Sequence, residues 1–255
     1  MTATTPSATP PRPPGRGAHG VVRLVDARPA GSLAAVEEHS FLDALDPGAQ
    51  EALRGRGTVR RLPRGVALFH EQTVPSDVAV LLAGRVKLTR VTAEGRDVLL
   101  AIRGPGELLG EQSALDGTPR SATAVALEPV EALTLAARDF VSFVSATPSA
   151  ALFLMRLLSR RLRDADDKRV GFASQDTLGR VAARLVELAE RYGTGERQSL
   201  RIDVPITQED LASWTGTSRE GVSRALQTLR SLGWVETARR SITVLDLDAL
   251  RGRSG

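Results

Sequence analysis

The apolar residues of this chain pass from a period of two to a helical period near residue 150, and that change governs what it can fold into. From Val59 to about Leu135 they recur with a period of two, in short Val- and Leu-rich segments such as Val78–Leu82, Arg85–Val91 and Val98–Ile102, bounded by glycine turns. Such alternation marks strands that bury one face. Glu94-Gly95 lies between two of these segments as a hairpin turn. Strands at intervals of about ten residues predict an antiparallel roll or barrel.

From Ala151 the period lengthens. Ala151, Met155, Leu158, Leu162, Ala165, Arg169 and Phe172 follow one another by alternating steps of four and three. That is the 3.5-residue seam along which two helices pack. The seam outlasts what one small roll can cover, so it favours a homodimer over a helix packed only on its own roll. Arg169 is its one charged member. A second helix opens after Asp176, with Leu178, Val181, Leu185 and Leu188 on one face, and stops at Tyr192-Gly193-Thr194-Gly195. A short strand, Leu200–Val204, leads into Pro205. Ahead of the roll, Phe41, Leu42, Leu45 and Leu53 form a helical face around Pro47-Gly48.

Composition narrows the chemistry. A chain of 255 residues points to two domains. The absence of cysteine removes disulfides, thiol nucleophiles and cysteine-held zinc or iron–sulfur sites. The three histidines, His19, His39 and His70, are too scattered for an imidazole metal cluster. No catalytic residue and no metal ligand is expected. The net charge of +4 is poor evidence for nucleic acid, because residues 1–36 carry four arginines against one aspartate. Residues 37–170 balance at 18 basic and 18 acidic. Residues 1–36 also hold six of the 14 prolines, a composition that predicts a disordered tail. No secretory h-region and no stretch of about 20 apolar residues is present, so a soluble cytoplasmic protein without a membrane partner is expected.

Local evidence for DNA lies in residues 206–235, ITQEDLASWTGTSREGVSRALQTLRSLGWV. Thr207 with Asp210 reads as a helix N-cap and its acid, and Gly216 ends that helix. Thr217 or Ser218 caps the next, whose inner face is Val222, Leu226 and Leu229. Ala212, Gly216 and Val222 have the small–glycine–apolar spacing of a helix-turn-helix. The outer face of the second helix presents Ser218, Arg219, Glu220, Ser223, Arg224 and Gln227. Arginine reads guanine O6 and N7 bidentately and glutamate accepts from the cytosine amino group, each worth about 1–3 kcal/mol of discrimination. Glu220 reads equally as a capping-box acid. The segment from Trp234 through Arg239-Arg240 to Leu245 fits a two-stranded wing with its tip towards phosphate.

On these motifs the chain resembles the catabolite-activator type of the Crp/Fnr regulators over residues ~37–250. The resemblance implies an α+β architecture: an N-terminal antiparallel β-roll (jelly roll), a long dimerisation helix and a C-terminal winged helix-turn-helix. The corresponding divisions are a tail at 1–36, a cyclic-nucleotide-binding-like roll at 37–147, the helix at 148–175 and the DNA-binding unit at 176–255. Ser218-Arg219-Glu220 with Arg224 is similar to the family's recognition helix, and Ser223, Thr207 and Gln208 join them as expected DNA contacts. Asp176-Thr177-Leu178-Gly179-Arg180 resembles its hinge. Implied partners are a palindromic duplex with GTGA-like half-sites, a second copy of the chain, and RNA polymerase.

Gly110-Glu111 followed by Arg120-Ser121 is similar to the phosphate cassette of cyclic-nucleotide domains. A buried cyclic phosphate needs a fixed guanidinium (Arg120), a hydroxyl (Ser121) and backbone N–H groups from Gly110 to Gln112, and Glu111 can accept from the ribose 2′-OH. Where adenine-contacting members carry Thr-Ser, this chain has Ala165-Asp166. Asp166 is a solvated helix residue, a partner of Lys168 or Arg169, or a carboxylate that meets guanine N1 and N2 from beside the dimer seam, so cAMP and cGMP both stand as possible effectors. The oxygen-sensing Fnr branch uses cysteine-bound clusters, which this chain cannot hold. His70 alone in the roll could ligate haem and reads more simply as a turn residue. Three rivals remain: a constitutive DNA binder with a vestigial roll, a cupin-like metalloenzyme that lacks its His cluster, and an enzyme-regulating subunit that leaves residues 206–245 unexplained.

Overall fold

The computed structural model of the 255-residue chain describes Met1 and residues 40–196, 199–238 and 241–254. Residues 2–39, on which the expected tail falls, and Arg239-Arg240, the expected wing tip, lie outside the described residues.

Alternation produces strands where the period of two holds. The strands β1 (Thr58–Leu62), β2 (Ala67–Phe69), β3 (Asp77–Ala83), β4 (Val86–Val91), β5 (Asp97–Arg103), β6 (Leu108–Leu109), β7 (Thr123–Ala126) and β8 (Val130–Ala136) form two four-stranded sheets. Their orders are β1-β8-β3-β6 and β2-β7-β4-β5, with antiparallel pairing throughout. Gly95, at φ +77°, turns the β4–β5 hairpin at the expected place. Inward residues such as Leu68, Leu81, Val86 and Ala124 fill the space between the sheets.

Helices cover one side of this roll. The helix α1 (Pro47–Arg56) starts at Asp46, whose carboxylate accepts from Ala49 N at 2.9 Å, with Pro47 in the first turn where its missing N–H costs nothing. The six-residue α2 (Glu111–Asp116) follows β6, and α3 (Ala137–Ala146) leads into the long α4 (Pro148–Ser174). Phe41, Leu53, Phe140, Phe153, Leu154 and Leu157 make one buried cluster on the outer faces of Val78, Val80, Leu133 and Leu135.

The helix α4 carries two apolar stripes. Ala150, Phe153, Leu154 and Leu157 are buried against the roll. Met155, Leu162, Val170 and Phe172 are exposed, Met155 at 60% and Leu162 at 63%. Ala151 and Leu158 are half-buried between the two. The seam read from the sequence is therefore largely distinct from the stripe that this chain uses to hold α4 on its own roll.

Beyond Asp176 the chain forms α5 (Thr177–Tyr192), β9 (Gly193–Glu196), β10 (Ser199–Ile202), α6 (Gln208–Thr215), α7 (Arg219–Ser231), β11 (Val235–Ala238), β12 (Ser241–Val244) and α8 (Leu247–Ser254). Asp176 caps α5 by accepting from Gly179 N at 2.8 Å. The segment read as a helix terminator is itself a strand: β9 pairs antiparallel with β10 in a sheet of order β11-β12-β10-β9. Gly193 is needed there because a Cβ would stand 2.3 Å from Ala189 O. The core of this unit, Val181, Leu185, Leu188, Leu211, Trp214, Val222 and Leu229 among others, runs on without a break into Leu99, Ile102 and Leu127 of the roll. Among the described residues no single helix is long and apolar enough to cross a membrane.

Candidate ligand pocket and nucleic-acid interface

The roll buries one guanidinium. Arg120 is 2% exposed. Its Nη1 donates to Gly110 O at 2.8 Å, and its Nη2 donates to Asp77 Oδ1 at 2.8 Å and to Asp77 O. The guanidinium carbon lies 4.5 Å from the centre of the Phe69 ring, a cation–π distance. Burial pulls the Arg120 pKa down, and the Asp77 carboxylate opposes that. Gly110 makes this packing possible. Its φ of +79° suits glycine, and a Cβ there would stand 2.3 Å from Arg120 Nη1.

Glu111, 1% exposed, is clasped by Arg161 of α4, whose Nη1 donates to Glu111 Oε1 while its Nη2 donates to Leu108 O at 2.8 Å. Burial lowers the Arg161 pKa against the pull of Glu111. Arg161 was missed by reading the sequence. It follows Leu157 by four on the buried stripe of α4, so a charge where the apolar pattern should continue was the available signal.

A cavity of about 430 Å³ opens beside Arg120. Gly110, Glu111, Gln112, Arg120 and Ser121 line it from the cassette, Phe69, Leu88 and Leu99 from the strands, Arg161, Asp164, Ala165 and Lys168 from α4, and Trp214 from α6. Gln112 and Ser121 are themselves exposed. Asp166 is not brought to this cavity. It is exposed and pairs with Arg169 at 3.2 Å. The helix period gives the reason: residues 164 and 168 share a face that residue 166, two positions away, turns from by roughly 200°. Lys168 has its pKa lowered by burial, with Glu187 at 3.6 Å acting against the shift.

The DNA-binding unit is built as its spacing predicts. Thr207 Oγ1 accepts from Asp210 N at 3.0 Å, and Asp210 Oδ2 accepts from Thr207 N at 2.9 Å, a reciprocal capping box. The Thr207 hydroxyl also donates to Asp210 Oδ2, so it is committed to the cap, whereas Gln208 stands exposed beside it. Gly216, at φ +61°, makes the turn, and a Cβ there would stand 2.8 Å from the Phe172 ring. Of the two candidate caps for α7, Ser218 takes the role, accepting from Gly221 N at 3.1 Å. Val222, Leu226 and Leu229 are buried, while Ser218, Arg219, Glu220, Ser223, Arg224 and Gln227 are exposed together. Hydrogen bonds from its own N–H and from Ser218, with Arg219 and Arg224 nearby, hold the Glu220 carboxyl below its ordinary value. Arg230 donates to Thr237 Oγ1 at 3.0 Å, which fastens α7 to the hairpin β11–β12. His70 is an exposed residue whose carbonyl accepts from Thr73, and no group of three metal-ligating side chains occurs among the described residues.

A double-sheet roll with a buried arginine, joined by one long helix to a winged helix-turn-helix, defines a class of DNA-binding proteins. Residues 59–147 match the cyclic nucleotide-binding domain and residues 179–253 the Crp-like helix-turn-helix domain. The chain is 33% identical over 214 residues to a CRP-like cAMP-activated global transcriptional regulator of Mycobacterium tuberculosis, covering 84% of this chain and 96% of that protein. It is 37% identical over 186 residues to the cyclic AMP receptor protein of Thermus thermophilus, covering 72% and 83%. In fold it is similar to FixK2 from Bradyrhizobium japonicum, with a TM-score of 0.70 at 20% identity over 78% of this chain and 98% of the other. The chain belongs to the CRP/FNR family of DNA-binding transcription regulators, and it carries that family's cyclic nucleotide-binding domain.

Proposed function

We propose that this protein is a homodimeric regulator whose promoter binding is controlled by a cyclic nucleotide held at Arg120. The observation that carries the reading is the buried guanidinium of Arg120 beside a cavity large enough for a mononucleotide. A cyclic phosphate would take the place of, or join, the Asp77 carboxylate as the partner of that fork, with Ser121 as a hydroxyl donor. Because Arg161 occupies Glu111, the ribose would meet a carboxylate whose second oxygen alone is free of that pair. The named activity of the mycobacterial and Thermus relatives supports cAMP as the first effector to test.

A second copy would pack along Met155, Leu162 and Val170, the exposed stripe of α4. Two recognition helices related by that two-fold axis would read half-sites one DNA turn apart, ~34 Å. In each, Arg219, Glu220 and Arg224 would meet base edges of a GTGA-like core, with Ser218, Ser223 and Gln208 beside them. RNA polymerase is a further partner expected from the family resemblance. The sensor would occupy 37–147, the dimer helix 148–175 and the DNA-binding unit 176–255, with no catalytic step.

Calorimetry with cAMP and cGMP, followed by selection of bound DNA from a random pool with and without each nucleotide, tests the whole reading. Expected are micromolar-range binding of one nucleotide and a palindromic site enriched only in its presence. Enrichment that ignores nucleotide would establish a constitutive binder instead.

A further inference from the structure

We infer that Trp214, a residue of the helix-turn-helix itself, contacts the effector, forming with Lys168 the end of the pocket opposite Arg120. The inference rests on reading the Arg120 cavity as a cyclic-nucleotide site, and it adds that the DNA-binding unit is one of that site's walls.

One continuous cavity joins Arg120 to Trp214. Trp214 is 3% exposed, and its indole N–H has no hydrogen-bond partner among the described residues. A buried tryptophan normally finds an acceptor for this group, and leaving it unpaired is costly. Two cations lie at cation–π distance from the ring, Lys168 Nζ at 5.8 Å and the Arg184 guanidinium carbon at 5.4 Å from its centre. Its place beside the strands is set by two bonds across the junction. Leu99 N donates to Ser213 Oγ at 3.2 Å, and Lys87 meets Asp210 at 2.6 Å. Both Leu99 and Lys168 line the same cavity as Trp214. On α4 the cavity-lining positions beside Lys168 are Ala165, which offers no donor, and Arg169, which is paired with Asp166.

The chemistry is that of a two-ended ligand. Arg120 suits an anionic group, and the indole with its N–H and the Lys168 ammonium suit a flat ring that presents acceptors, as the base of a purine nucleotide does. A ligand spanning both ends touches roll, long helix and α6 at once. It would therefore favour the arrangement in which α6 lies on β5, and in that arrangement the outer face of α7 is exposed.

The protein holds two tryptophans, so Trp234→Phe leaves Trp214 as the sole tryptophan, read with excitation that spares Tyr192. Titration of that protein with cAMP and with cGMP should change Trp214 emission with the half-saturation seen by calorimetry, and Arg120→Leu should remove the change. Trp214→Phe and Lys168→Gln should each weaken binding by about tenfold, equivalent to roughly 1.4 kcal/mol. If the unaltered protein binds neither nucleotide, the reading of the cavity fails and the inference with it. If it binds but Trp214→Phe binds within about twofold of it, the inference alone is overturned, whatever the emission does. Should Trp214→Phe fail to fold, an unmoved emission together with unchanged affinity of Lys168→Gln overturns it, and any other result for that pair upholds it.

Discussion

The ammonium of Lys87, on β4 of the roll, lies 2.6 Å from the carboxylate of Asp210, the same acid that closes the capping box of α6. One side chain thus starts the helix-turn-helix and fastens it to the roll. Burial pushes the Asp210 carboxyl up, but Lys87 and Thr207 outweigh it and hold the group below its ordinary value. Around this pair Arg85 donates to Asp203 O at 3.2 Å, Tyr192 donates to Ile102 O at 3.0 Å, and Arg191 meets Glu107 at 2.8 Å. The junction between roll and DNA-binding unit is a packed interface with its own polar fasteners.

Lys87→Met should loosen that junction without unfolding either side. The pair is partly exposed, so its loss should cost at most about 1 kcal/mol of global stability. Amide hydrogen exchange at Leu99, whose N–H is bonded to Ser213, should speed up while exchange in β3 and β8 stays unchanged. Equal protection at Leu99 in both proteins would show that the pair does not hold the junction.

Glu111 and Arg161 should behave as a coupled unit. Arg161→Leu leaves a buried carboxylate without its cation and should destabilise by about 3–5 kcal/mol. Glu111→Gln combined with Arg161→Leu should recover a large part of that loss. Denaturant unfolding of the two single variants and the double variant gives the coupling directly, and strict additivity would contradict it.

Gly110→Ala combines a positive φ with a contact inside van der Waals range of Arg120. Displacement of Arg120 should abolish nucleotide binding and cost about 1–3 kcal/mol of stability. Gly117→Ala, also at positive φ but with open space around it, supplies the control: comparable backbone strain, with binding retained.

On α7, Arg219→Ala and Arg224→Ala should each lose about 1–3 kcal/mol of preference for the selected site over random DNA. Glu220→Ala should relax the preference at one base pair with little change in overall affinity. Binding curves on matched and mismatched duplexes at fixed salt separate these effects, and a uniform loss on all sequences would assign the arginines to phosphate instead.

Acid should open the junction before it unfolds the roll. Burial raises the Glu107 pKa, but Arg103, Arg191 and the Gly104 N–H outweigh it, so the folded value is depressed; Glu187 is depressed too, by Lys168, Arg184 and Arg191 against burial. A depressed carboxylate contributes stability that is present above its unfolded pKa, about 4.3, and is lost as pH falls through the folded value. Stability should be flat from neutral pH to about 5 and fall below about 4. Tyr192 emission and exchange protection at the α5 end, followed from pH 7 to 3, report it.

Much of this architecture was legible because its signals are local. Alternation placed the strands, Thr207 with Asp210 and Gly216 placed the helix-turn-helix, and the exposed face of α7 carries the side chains its spacing predicts. Gly193 ends α5 where its glycine predicts, and β10 in addition recruits Gly193–Glu196 into a sheet, which no local signal showed. Of the readings open for Asp166, the pair with Arg169 is present, because the rotation of α4 that packs Leu157 and Arg161 on the roll turns Asp166 outward.

By itself the sequence determined what periodicity, short-range caps and composition can encode: a roll, a long helix, a winged helix-turn-helix, and a chain without thiol chemistry. Only the tertiary structure decided which charges meet. Arg161 reaches Glu111 across 50 residues and Lys87 reaches Asp210 across 123. Local propensity cannot encode such pairs, because each residue alone reads as a solvated charge. They exist only after hydrophobic burial has brought α4 and α6 against the strands, where desolvation makes an unpaired charge costly and selects its partner.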